Sequence, residues 1–118
     1  MSSEKLTVCV MCFSTPPQIS HMPPECLISG IISKATDVFA FGVLLWQMYT
    51  GLRPWAGMNH GQIIYNVGMK NVQLLFPPGT PPAIADLSSS CTRTDPTTRP
   101  SFGEIMDKLG NIRASLGL

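Results

Sequence analysis

KATDVFAFGVLLWQM, residues 34–48, carries one acid, Asp37, at the head of a run that is otherwise almost wholly apolar. Thr36 suits the N-cap of a helix, and Asp37 then falls in the first turn, where its charge meets the positive end of the backbone dipole; each effect is worth about 0.5–1 kcal/mol. From Val38 to Tyr49 the apolar positions leave no polar face, so the helix is expected to be enclosed by protein on all sides. Gly51 supplies a left-handed stop. The run is far short of the ~20 apolar residues that span a bilayer, so it is read as a central core helix.

Downstream, GLRPWAGMNHGQIIYNVGM (51–69) passes through a Pro54-Trp55 loop into a helix starting near Asn59, with Ile63, Ile64 and Val67 on one side. FPPGTPP (76–82) is a turn-rich linker, and a helix from about Pro82 carries Ile84, Leu87 and Cys91. In TDPTTRPSFGEIMDKLGNIRASL (94–116), Ser101 and Glu104 form the reciprocal capping box of a helix start. Phe102, Ile105, Leu109 and Ile112 then mark one buried stripe of a last helix over 101–115. Upstream, Pro23 and Pro24 open a one- or two-turn helix that ends near Gly30. Residues 1–20 read as a short strand and a loop, with Pro16 and Pro17 favouring extended backbone.

With 118 residues, 44% of them hydrophobic, the chain suits one domain or part of one. Only 13% of residues are charged, which leaves Ser, Thr, Asn, Gln and apolar atoms to cover the surface. A net charge of +1 offers no footprint for nucleic acid or anionic lipid, and both partners are set aside. No signal peptide or spanning segment is read, so a cytoplasmic location is expected, with the four cysteines as reduced thiols.

Three motifs in order, HMPPE (21–25), SKATDVFAFGVLLWQMYTGLRPW (33–55) and DPTTRPSF (95–102), resemble the C-terminal half of the large lobe of eukaryotic protein kinases, especially the tyrosine-kinase-like Ser/Thr branch of plants and algae. The resemblance runs over about residues 18–116. It implies an all-α fold: the end of the activation segment, then the central, G-, H- and I-type helices. The chain divides accordingly into an irregular segment, 1–17, and a partial kinase domain, 18–118.

The resemblance also implies roles. Pro23-Pro24-Glu25 matches the motif that closes the activation segment, whose acid pairs with an arginine at the place of Arg99. Asp37 matches the acid that accepts hydrogen bonds from the catalytic loop, and Trp46 lies within the same helix. Pro24, Glu25, Asp37, Trp46 and Arg99 are therefore structural candidates. Gln18, Ile19, Ser20, His21 and Met22 fall where the family docks the substrate residue that follows the phosphorylated one.

The 118 residues contain no Gly-rich loop, no Val-Ala-Ile-Lys-like strand, no His-Arg-Asp loop and no Asp-Phe-Gly. Phosphoryl transfer draws its lysine, magnesium-binding acids and base from those motifs. No catalytic, cofactor-binding or metal residue is assigned, and ATP and magnesium are expected only for a full-length kinase domain. Pro17-Gln18 also stand where the family usually has Gly-Thr, and that threonine normally contacts the catalytic loop. Expected partners are a protein substrate or the missing part of a kinase domain. The competing expectation is a non-catalytic module that binds a partner or a kinase substrate.

Blander readings stand beside these. Asp37 in isolation is an ordinary first-turn acid, and His21 is a packed loop residue. Cys9 and Cys12 have Cys-x-x-Cys spacing, but Cys26, Cys91, His21 and His60 offer no second pair to complete a zinc site. A redox pair would need a strand-to-helix setting, whereas a proline-rich loop follows. Ser and Thr from 14 to 20 lie where kinases carry activation-loop phosphosites.

Overall fold

The computed structural model describes residues 16–115, all of whose regular structure is helical. The Cys9–Cys12 pair, the strand expected near the N-terminus and the hydroxyls of Ser14 and Thr15 lie outside the described residues. A 3-10 helix, Pro16–His21, comes first, followed by α1, Pro24–Ser29, and α2, Lys34–Thr50. Next are α3, His60–Ile63, which runs on into a π-helical turn, Ile64–Met69, and α4, Pro82–Cys91. A 3-10 turn, Pro96–Thr98, leads into α5, Phe102–Ser115.

Most boundaries follow the local chemistry. Pro24 sits at the start of α1, where its missing N–H has no helical partner to lose, and α1 and α2 end at Gly30 and Gly51, both left-handed. Asn59 caps α3: its Oδ1 accepts from the Gln62 N–H at 2.8 Å, and Gln62 Oε1 accepts from the Asn59 N–H at 2.9 Å. The same reciprocity opens α5, with the Glu104 N–H reaching Ser101 Oγ at 3.2 Å and the Ser101 N–H reaching Glu104 Oε1 at 3.3 Å.

Three expectations change. Pro16–His21 is a 3-10 helix rather than extended chain: prolines in a first turn lose no hydrogen bond there, and their fixed φ is close to the 3-10 value. The N-cap of α2 is Ser33, three residues before Thr36; the Thr36 hydroxyl instead turns back to accept the Ser33 N–H at 3.0 Å. After Ile63 the helix widens to π geometry, with the Lys70 N–H donating to Tyr65 O at 3.0 Å. Asn66 Nδ2 donates to Gln62 O at 2.8 Å, the carbonyl that an α-helix would give to the backbone N–H of Asn66. A side chain competing with the backbone in this way favours the wider turn.

α2 divides the core. On one side Val38 joins Leu87, Cys91 and Ile105, while on the other Phe39 and Val43 join Ile63 and Val67. Gly42 lets α2 and α4 touch. A Cβ there would stand 2.7 Å from Cys91 Cβ and 2.7 Å from Thr92 Cγ2. Across this approach Ser88 Oγ donates to Gly42 O at 2.9 Å, so the first serine of the run bridges the two helices.

Two further expectations are corrected by exposure. α2 is not enclosed all round, because Asp37, Leu44 and Met48 are exposed along one stripe. The α5 stripe is shallow: Ile105 is fully buried, Leu109 and Ile112 are half-buried, and Phe102 is exposed, meeting Phe41 edge-on at 6.5 Å. Among the described residues no helix is long and apolar enough to cross a membrane.

Candidate functional site

Arg99 follows the Pro96–Thr98 turn in extended backbone, which aims its side chain inward. The guanidinium grips Glu25 across 74 residues, Nη1 to Oε2 at 2.7 Å and Nη2 to Oε1 at 2.9 Å. Nη1 also donates to Ala35 O at 3.0 Å and Nε to Arg93 O at 2.8 Å, and the guanidinium lies 5.0 Å from the Phe39 ring centre. The arginine side chain is 0% exposed and the glutamate 11%, so both charges have left water; each is compensated by the other, and the guanidinium also by the backbone carbonyls. The clamp ties α1 to the start of α2 and to the loop before α5.

The segment just before α1 is thereby held against α2. Trp55 adopts a left-handed backbone, φ 56°, which turns its indole back so that Nε1 donates to Ser20 O at 3.1 Å. His21 is fixed from both ring nitrogens: Nε2–H donates to Gln47 Oε1 at 3.1 Å, and the Ser20 hydroxyl donates to Nδ1 at 2.8 Å. Between these elements lies an open cleft of about 380 Å³, with Ile19, His21, Gln47, Arg53, Trp55 and His60 among its lining residues.

Of the residues singled out by sequence, Ile19, Ser20 and His21 line this cleft, whereas Met22 is buried. Gln18 belongs to the 3-10 helix by its backbone. Pro24 is buried at the head of α1, and Trp46 is buried with Nε1 donating to Leu75 O at 2.8 Å. Asp37 is exposed in the first turn of α2, away from the cleft lining.

Sequence reasoning missed Arg53 and His60 as cleft residues, because nothing in their spacing ties a loop to a segment some thirty residues earlier. It also missed the acceptors of the two tryptophans. A buried or half-buried indole N–H requires a partner, and that was the available signal.

Among the described residues no group of three or more His, Cys, Asp or Glu side chains is placed to hold a metal ion. Burial pushes the Cys91 thiol above its ordinary range, opposed more weakly by a hydrogen bond with Ser90, so the thiolate is disfavoured and the sulfur behaves as a packing atom.

The profile of the family described as protein tyrosine and serine/threonine kinase matches residues 9–109. The chain belongs to the protein kinase family. It is 40% identical over 100 residues to the probable serine/threonine-protein kinase SIS8 of Arabidopsis thaliana, a match covering 85% of this chain and 10% of that protein. Identity to the serine/threonine-protein kinase CTR1 of the same plant is 38% over 88 residues, 75% of this chain and 11% of the relative. Identity to a mitogen-activated protein kinase kinase kinase of Drosophila melanogaster is 38% over 94 residues, 80% of this chain and 8% of the relative. The chain thus spans about a tenth of the length of these curated relatives. Its helical fold is that of a kinase large-lobe fragment, with tyrosine-kinase-like Ser/Thr kinases among its relatives.

Proposed function

We propose that these residues form the protein-docking half of a kinase domain whose reaction moves the γ-phosphate of ATP to Ser or Thr of another protein. The nucleotide chemistry falls to residues outside the 118, since the motifs that hold ATP, magnesium and the attacking hydroxyl have no counterpart in this sequence. The carrying observation is the cleft itself. Ile19–His21, among the positions that the family resemblance assigns to substrate docking, are pinned to α2 and to the Trp55 loop by two side-chain hydrogen bonds, His21 to Gln47 and Trp55 to Ser20, next to the Glu25–Arg99 clamp.

The test is a chimera. Residues 16–115 replace the corresponding segment of an active relative, and incorporation of labelled phosphate into a protein substrate is measured. Retained Ser/Thr phosphorylation is expected, and a folded, nucleotide-binding chimera without it would overturn the docking role. The 118-residue chain alone is expected to show neither transfer nor a melting-temperature rise with magnesium and ATP. A rise of several degrees at micromolar nucleotide would contradict the division of labour.

The uncovered row on α2, Leu44 and Met48, favours a second function, that of a non-catalytic module that captures another protein through apolar contact. Light scattering separates the two. A clean monomer at tens of micromolar that binds no hydrophobic dye would remove the module.

A further inference from the structure

The cleft has a chemical bias beyond its position. None of its lining residues is Asp or Glu, while Arg53 and His60 both stand exposed at it. The Arg53 guanidinium makes no ion pair or hydrogen bond with another described residue, the Glu25–Arg99 pair being the salt bridge among them. Arg53 therefore keeps all five donors for a visitor. His21, although central, already has both ring nitrogens engaged, one with Ser20 and one with Gln47. Ile19, Met58, Ile63 and Trp55 supply an apolar wall beside the cation.

We propose that this cleft selects protein segments bearing a carboxylate side chain next to an apolar one, with Arg53 receiving the carboxylate and Trp55 bounding the apolar neighbour. The proposal deepens the docking role given above and rests on it. A carboxylate is favoured over a phosphate by the count of donors: one planar guanidinium matches one carboxylate in a two-point fork, whereas phosphorylated motifs are held by clusters of arginines. A second arginine is missing from the lining. Because Arg53 is exposed, the selectivity is modest and salt-sensitive.

Four blocked, fluorescein-labelled octapeptides, identical except for a central Leu-Glu, Leu-Gln, Leu-Lys or Leu-phosphoserine, test this by anisotropy on the 118-residue chain at low salt. The Leu-Glu peptide is expected to bind about threefold more tightly than Leu-Gln, the size of an exposed charge pair, with Leu-Lys weakest. Arg53→Gln abolishes the preference, while circular dichroism of the variant stays unchanged. Raising salt to about 0.5 M erases it in the wild type.

Equal binding of Leu-Glu and Leu-Gln overturns the carboxylate selectivity and leaves the docking role standing. So does a full preference that survives in Arg53→Gln. A phosphoserine peptide that binds more than tenfold tighter than Leu-Glu overturns the assignment in favour of phosphate. Failure of every peptide to bind a folded chain overturns the docking role itself, and the selectivity with it.

Discussion

The two sides of α2 are built from similar residues and meet opposite surroundings. Toward α4 and the π turn stand Val38, Phe39, Gly42 and Val43, and Trp46 is buried too, with its Nε1 on Leu75 O. On the far side Asp37, Leu44 and Met48, at spacings of seven and four, share one stripe, with Leu44 43% and Met48 63% exposed. Full burial of a Leu or Met side chain is worth about 1.5–3 kcal/mol, and on the open side that free energy goes uncollected by residues 16–115. An apolar surface is therefore a request for cover, and only the packed fold tells which requests are met.

The largest test of the covered side concerns its anchor. Glu25→Ala and Arg99→Ala should each lower unfolding free energy by about 3–5 kcal/mol in urea titrations, since each leaves a buried charge without its partner. The double variant should cost much less than the sum. Strictly additive losses would mean that the two side chains act independently and that α1 is not held through this pair.

Next comes the helix crossing. Gly42→Val should destabilise by about 1–3 kcal/mol, because its side chain would have to displace Cys91 and Thr92. An unchanged denaturation midpoint would show that α2 and α4 lie farther apart than described. On the open side, Leu44→Gln and Met48→Gln should shift stability by no more than about 0.5 kcal/mol. Both should reduce hydrophobic-dye binding and light scattering. If either variant unfolded the chain, the two sides would be equivalent after all.

The smallest expected effect lies in the turn before Arg99. Asp95 accepts from the Thr97 hydroxyl at 2.7 Å and from the Thr97 N–H at 2.9 Å, and these bonds, the hydroxyl first, hold its carboxyl below the usual carboxylate range. A depressed folded-state value means that its support for the turn is complete above the ordinary carboxylate range and is lost as pH falls through the folded value. NMR titration of the Asp95 carboxyl should show a low midpoint that rises in Thr97→Val. A midpoint indifferent to that substitution would dissociate the turn from the hydroxyl.

Much of this architecture was legible because caps and stops are local. Ser101 with Glu104, Pro24, Gly30 and Gly51 each act within four residues, and the sequence places the ends of three helices from them; the start of α3 near Asn59 was legible too, but not its cap with Gln62. Glu25 and Arg99 came from family resemblance rather than spacing, since nothing local connects residues so far apart. The π turn was hidden because it depends on one amide, that of Asn66, choosing a carbonyl over solvent. The capping role of Ser33 was hidden behind Thr36, an equally suitable residue three positions on. The cleft was half legible: Ile19–His21 were marked, whereas Arg53 and His60 reach it only because the indole of Trp55 folds its loop back.

The reach of Arg99 also sets an order on biosynthesis. Its guanidinium holds Glu25 and the carbonyl of Ala35, emitted 74 and 64 residues earlier, so α1 and the head of α2 wait for Arg99 itself before their tie exists. A ribosome paused just before Arg99 would display α1 with the Glu25 carboxylate not yet answered, so the docking of this helix follows the synthesis of the loop before α5.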